Sequence, residues 1–142
     1  MPEMRTRPPL DELRRIYAET ETIAVVGASP DTTKRAQVVP AYLQDQGYRI
    51  IPVNPGETEV LGEKAYPDLS SVPEQIEIVN IFRRPEYVPE VVEEAIAVGA
   101  KVIWMQEGIA HEDAAKSAEE AGLSVVMDSC IRTEHRRLAA GA

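Results

Sequence analysis

The chain has a single cysteine, Cys130, among 142 residues, so no internal disulfide can form. Its first dozen residues, MPEMRTRPPLDE, lack the apolar stretch of a secretory leader, so nothing marks the chain for export and a reducing, cytoplasmic setting is expected. No apolar run approaches the roughly 20 residues that a membrane span needs. Positive charge is scarce too: 15 Lys and Arg stand against 24 Asp and Glu, for a formal net charge of −9. That balance argues against nucleic acid and anionic membrane as partners. In so negative a chain an anionic ligand needs cations gathered locally, so the positions of the basic residues matter more than their number.

What is present is a core: 44% of the residues are apolar, and the length suits one domain. Short β-branched runs alternate with longer amphipathic stretches, the pattern of βα units around a parallel sheet. Leu10, Leu13, Ile16 and Tyr17 recur at helical spacing behind Pro9, which predicts a helix over about 9–19. Strands are expected at 22–26, 48–53, 76–82, 101–105 and 123–127. Helices are expected at about 36–46, 85–98, 111–121 and 131–138, and the Gly-, Pro- and Ser-rich stretch from Asn54 to Pro73 reads as loop with one short helical turn. The fold class is therefore α/β, a single Rossmann-like domain with a doubly wound parallel sheet of about five strands and a core over about 22–138. The expected order is 3-2-1-4-5, with the first strand beside the fourth and ligands at that switch point. A nearly all-apolar fourth strand and a lone N-terminal helix leave room for a homodimer.

The turn after the first strand, Gly27-Ala28-Ser29-Pro30, carries most of the chemistry, because small residues let backbone N–H groups approach a phosphate at the next helix N-terminus. The dinucleotide fingerprint G-x-G-x-x-G is incomplete: Ser29 and Thr32 stand where its second and third glycines belong. The second strand ends in Val53-Asn54-Pro55, without the acid that holds an NAD ribose. Both absences disfavour NAD, and Gly27 read alone also fits a plain tight turn. Lys34 and Arg35 lie in the first crevice loop, and Arg83 and Arg84 directly follow the third strand. Coenzyme A carries a pyrophosphate and a ribose 3′-phosphate, which suit a helix N-terminus and nearby Lys or Arg side chains respectively.

The segments TIAVVGAS from Thr22, YRIIPVNP from Tyr48, EVLGEKAYPDL from Glu59, IVNIFRRPEYVPEVVEEAI from Ile78, KVIWMQEGI from Lys101 and MDSCIRTEH from Met127 are specific in combination. Through them the chain resembles the small CoA-binding-domain proteins, single-domain relatives of the amino-terminal domain of the succinyl-CoA ligase α subunit. The resemblance implies a Rossmann-like fold with the nucleotide half of CoA over the first turn. It implies that Gly27, Ala28 and Ser29 hold the pyrophosphate, that Arg35 with Lys34 faces the phosphates, and that Asn54 and Pro55 border the adenosine. Phe82, Arg83, Trp104, Gln106 and Gly108 would flank the nucleotide or the pantetheine arm, although Trp104, ending an apolar strand, equally suits the core. The departure from the family pattern is at Ala36-Gln37, where many relatives carry Ser or Tyr. Catalysis is expected to be absent, since the phosphorylated histidine of the ligase lies in a second domain.

Only two histidines occur, His111 and His135. His111 opens a helix and is expected to have no chemical role. Cys130 at a helix start is a place where a thiolate can be stabilised, but His135 follows it by five residues, about 140° round a regular helix, so the two would not share a face. Cys130, Glu134 and His135 lack the pairing that zinc sites use, and no metal is expected. The expected function is thus a protein that binds CoA or acyl-CoA as its small-molecule partner, with any protein partner unidentified. The alternatives are an NAD(P)-binding oxidoreductase and a Cys-dependent acyl-CoA transfer enzyme.

Overall fold

The computed structural model describes residues 8–141; most of the polar start expected before the first helix falls on residues 1–7, outside the described residues. In chain order the elements are α1 (Leu10–Glu19), β1 (Thr22–Val26), α2 (Arg35–Asp45), β2 (Arg49–Val53), the short strands β3 (Glu59–Val60) and β4 (Glu63–Lys64), β5 (Ile78–Ile81), α3 (Val88–Ala97), β6 (Val102–Met105), α4 (Glu112–Glu120), β7 (Ser124–Val126) and α5 (Ile131–Ala139). Five of the strands form one parallel sheet, in the order β2-β1-β5-β6-β7.

That order corrects the expected one. The first strand pairs with the third of the sheet's strands, Ile23 opposite Ile78, and not with the fourth. β2 is consequently an edge, and its own sequence carries the reason: Pro52, opposite Val25, has no N–H to give to an outer neighbour and is tolerated only where no strand needs it. The outer side of β2 is closed instead by Tyr66, whose N–H donates to the Pro52 carbonyl at 3.0 Å while its own carbonyl accepts from Asn54 N–H at 2.8 Å. The expected loop also contains the β3–β4 hairpin, with Leu61 and Gly62 both at positive φ in its two-residue turn.

Period-two alternation along each strand divides the core. Ala24, Val26, Val79, Ile81, Ile103 and Met105 face α3 and α4, which present Val88, Val91, Val92, Ala114, Ala115 and Ala118. Ile23, Val25, Ile78, Val102 and Trp104 face the other way, toward α1, α2 and α5. The nearly all-apolar β6 is explained inside the chain: it lies between β5 and β7 and is buried along its whole length. α1 packs through Leu13, Ile16 and Tyr17, and the Tyr17 hydroxyl donates to the Ile131 carbonyl at 2.6 Å. The carboxyl ends of all five strands therefore share one edge, with the change of winding direction between β1 and β5.

Candidate functional site

Gly27 occupies that switch point. Its φ of +92° lies in the region that L side chains avoid, and a Cβ there would stand 2.8 Å from the Phe82 carbonyl oxygen. Its N–H donates to the Val53 carbonyl at 2.8 Å, so the turn is clamped between the ends of β2 and β5. Ala28 is fully buried, and its carbonyl accepts from Asn54 Nδ2 at 2.8 Å. Ser29 N–H donates to the Ala36 carbonyl at 3.2 Å. The acceptor is available because of Pro40: it sits inside α2, four residues after Ala36, and has no N–H to return to that carbonyl. A proline in the helix thus fixes the loop that precedes it.

The remainder of the loop is tied by Asp31. Its Oδ1 accepts from Thr33 N–H at 2.9 Å and from the Thr33 hydroxyl at 2.6 Å, and these hydrogen bonds hold the carboxyl below the usual carboxylate range. Lys34 then leads into α2, whose first turn has neither a capping side chain nor an acid. A helix start of this kind, with Lys34 and Arg35 on it, is receptive to an anion. The Arg35 guanidinium reaches across the edge to Glu107 at 2.9 Å, both side chains being more than half exposed, at 62% and 55%.

On the other side of Gly27 a crevice of about 470 Å³ opens, floored by Val26, Val53, Pro55 and Val91 and walled by Asn54, Pro67, Asp68 and Arg83. Its acids are committed: Asp68 Oδ1 accepts from Ser71 N–H at 2.8 Å, Glu94 Oε1 accepts from Leu69 N–H at 3.1 Å, and Glu90 pairs with Arg83 at 3.4 Å. Arg83 lies over the Tyr87 ring at 4.3 Å, which fixes the guanidinium at the rim. Asn54 is a strut more than a ligand contact, since its Oδ1 also accepts from Gly56 N–H at 2.9 Å.

Of the twelve expected site residues, the structure brings Gly27, Ala28, Ser29, Lys34, Arg35, Asn54, Pro55 and Arg83 to the switch point, with half-buried Phe82 at the end of β5. Trp104 is a correction. It is wholly buried, its indole N–H donates to the Ser129 carbonyl at 2.8 Å, and its ring packs 5.7 Å from that of Tyr17, so it belongs to the core. Gln106 follows β6 but is only 2% exposed, and Gly108 N–H donates to Asp128 Oδ1 at 2.6 Å. Gln106 thus lies inside the adjoining loop, while Gly108 is exposed on it. Asp128 was not anticipated, and neither was Glu107, although it stands between the expected site residues Gln106 and Gly108.

Both histidines are engaged in hydrogen bonds within the fold. His111 Nδ1 accepts from Ala114 N–H at 3.1 Å and caps α4. His135 Nδ1 shares a hydrogen bond with the Tyr42 hydroxyl at 2.7 Å among the rings of Tyr17, Tyr42 and Tyr48, and burial lowers its pKa. Among the described residues no group of three or more His, Cys, Asp or Glu could hold a metal. No helix of the described residues is long and apolar enough to cross a membrane.

Fold and site together define a doubly wound α/β domain whose switch point offers a helix N-terminus, flanking cations and a crevice with an apolar floor and polar walls. Residues 21–136 match the model of the CoA binding domain family, and the chain belongs to it. It is 42% identical over 124 residues to the uncharacterized protein YneT of Bacillus subtilis, covering 87% of this chain and 92% of that one. It is 26% identical over 132 residues to the ADP-forming acetate–CoA ligase I of Archaeoglobus fulgidus, where the match spans 86% of this chain but 19% of the ligase. A solved structure of a hypothetical protein from Pyrococcus horikoshii superposes with a TM-score of 0.92 at 42% identity, covering 98% of this chain and 99% of that one.

Proposed function

We propose that the chain binds CoA or an acyl-CoA and performs no chemistry of its own on it. The observation that carries this reading is the β1–α2 turn. Gly27 lets the backbone close onto the ends of β2 and β5, and the uncapped start of α2 carries Lys34 and Arg35 where a pyrophosphate would lie. The crevice beyond Gly27 has the volume and the apolar floor of a nucleoside pocket, with Asn54 and Pro55 along it and Arg83 at its rim. Glu107 then serves as a stand-in anion for Arg35, displaced when phosphate arrives. The family membership supports the ligand class. The missing second and third glycines, and the absence of an acid after β2, count against a nicotinamide cofactor.

Parallel titration calorimetry of the protein with CoA, acetyl-CoA, NAD and NADP tests the reading. It expects micromolar binding of CoA or acetyl-CoA and none of the dinucleotides; binding of NAD or NADP alone would overturn it.

A further inference from the structure

Each of the three acids around the crevice has a partner, but they do not use their oxygens alike. Glu94 accepts from Leu69 N–H at 3.1 Å with one oxygen and from the Ser70 hydroxyl at 3.2 Å with the other. Glu90 pairs with Arg83, and its side chain is 65% exposed, so solvent serves the rest of its carboxylate. Asp68 takes both of its hydrogen bonds on Oδ1, from Ser71 N–H at 2.8 Å and from the Ser71 hydroxyl at 2.6 Å. Among the described residues none donates to its Oδ2. The same bonds cap the helical turn Leu69–Ser71, so a half-buried carboxylate is fixed on the crevice wall before any ligand arrives. A carboxylate oxygen accepts and cannot donate, so it favours a ligand group that carries N–H or O–H.

Position along the sheet edge decides which group that is. Tyr66 bridges the outer side of β2 at Val53, two strand spacings, about 10 Å, from β1, and the chain runs from it through Pro67 to Asp68. With a pyrophosphate over Gly27 and a ribose beside Asn54 and Pro55 at the end of β2, the base is the part of the ligand that extends to Asp68. Val53, Pro55 and Val91 offer its flat faces an apolar floor, and the exocyclic amino group of adenine supplies the N–H.

We propose that Asp68 selects the base of the bound nucleotide: its Oδ2 accepts from the exocyclic amino group of a 6-aminopurine and turns away a base with an oxygen at that position. The inference rests on the CoA reading above and adds the feature of the ligand that the crevice reads. A 6-oxo base sets a carbonyl oxygen against a carboxylate oxygen and leaves both without a donor.

The test is calorimetric titration of the full chain with CoA and with its deaminated analogue, in which hypoxanthine replaces adenine. The wild-type protein should bind CoA at least about tenfold more tightly than the analogue. Asp68→Asn keeps an oxygen for Ser71 N–H, asparagine capping as well as aspartate, and puts an amide N–H where Oδ2 stands. In that variant the preference should vanish or reverse, while unfolding followed by Trp104 fluorescence stays close to wild type. Asp68→Ser, a second capping residue with no carboxylate to offer the crevice, should also lose the preference. Equal wild-type affinity for the two nucleotides overturns this inference and leaves the CoA reading standing. A tenfold preference that survives in both variants overturns it as well. Failure of the wild-type protein to bind either nucleotide overturns the CoA reading and the inference together.

Discussion

Replacing Gly27 by Ala puts a Cβ 2.8 Å from the Phe82 carbonyl oxygen and 3.2 Å from its carbon, both backbone atoms at the end of a central strand. Neither can swing aside as a side chain could. The positive φ costs an L residue about 1–2 kcal/mol, and relieving the overlap adds about 1–3 kcal/mol, for a total of about 2–5 kcal/mol. Gly47 supplies the control: its φ is +100°, but nothing lies within 4 Å of a Cβ placed there, so Gly47→Ala meets only the backbone cost. Urea unfolding followed by fluorescence of Trp104, the one tryptophan and fully buried, reads both variants. Gly27→Ala should lose about 1–3 kcal/mol more than Gly47→Ala, and it should also lose CoA affinity. Equal losses in the two variants would refute the close approach as the reason for glycine at the switch point.

Pro40→Ala returns an N–H that competes with Ser29 for the Ala36 carbonyl; thermal stability should hold or rise while CoA binding weakens, and wild-type affinity would show that this contact does not set the loop. Glu107→Gln removes the ion pair to Arg35, so calorimetry should find CoA bound tighter by up to about fivefold, the scale of an exposed pair. His135 has a folded pKa below its ordinary 6.5, so the unfolded chain takes up its proton first. Stability is then full above about pH 6.5 and falls as pH drops below it. His135→Gln should flatten that stretch of the stability profile measured by denaturant titration.

The class of fold, the element positions and the crowded first turn were legible because each rests on local signals: β-branched runs, amphipathic spacing, and Gly27 followed by small residues. Strand order was not, because periodicity says where strands are and not which ones touch. The missed signal was Pro52, which marks β2 as an edge. Trp104 was ambiguous for a related reason, since alternation assigns a face and not a depth. Its indole N–H found a partner in Ser129, which only the folded chain brings near. The hairpin at 59–64 has two residues per strand, too few for any period to register. Glu107, Asp128 and the Pro40–Ala36–Ser29 link are contacts between loops or across a turn, which the sequence does not place side by side.

The most direct test of the account is a calorimetric titration of CoA into the wild-type protein and into the double variant Lys34→Glu, Arg35→Glu. Charge reversal of two groups facing the phosphates should weaken binding at least about a hundredfold while Trp104-monitored unfolding stays close to wild type. Undiminished CoA affinity in the double variant would contradict the assignment of the α2 N-terminus as the phosphate site.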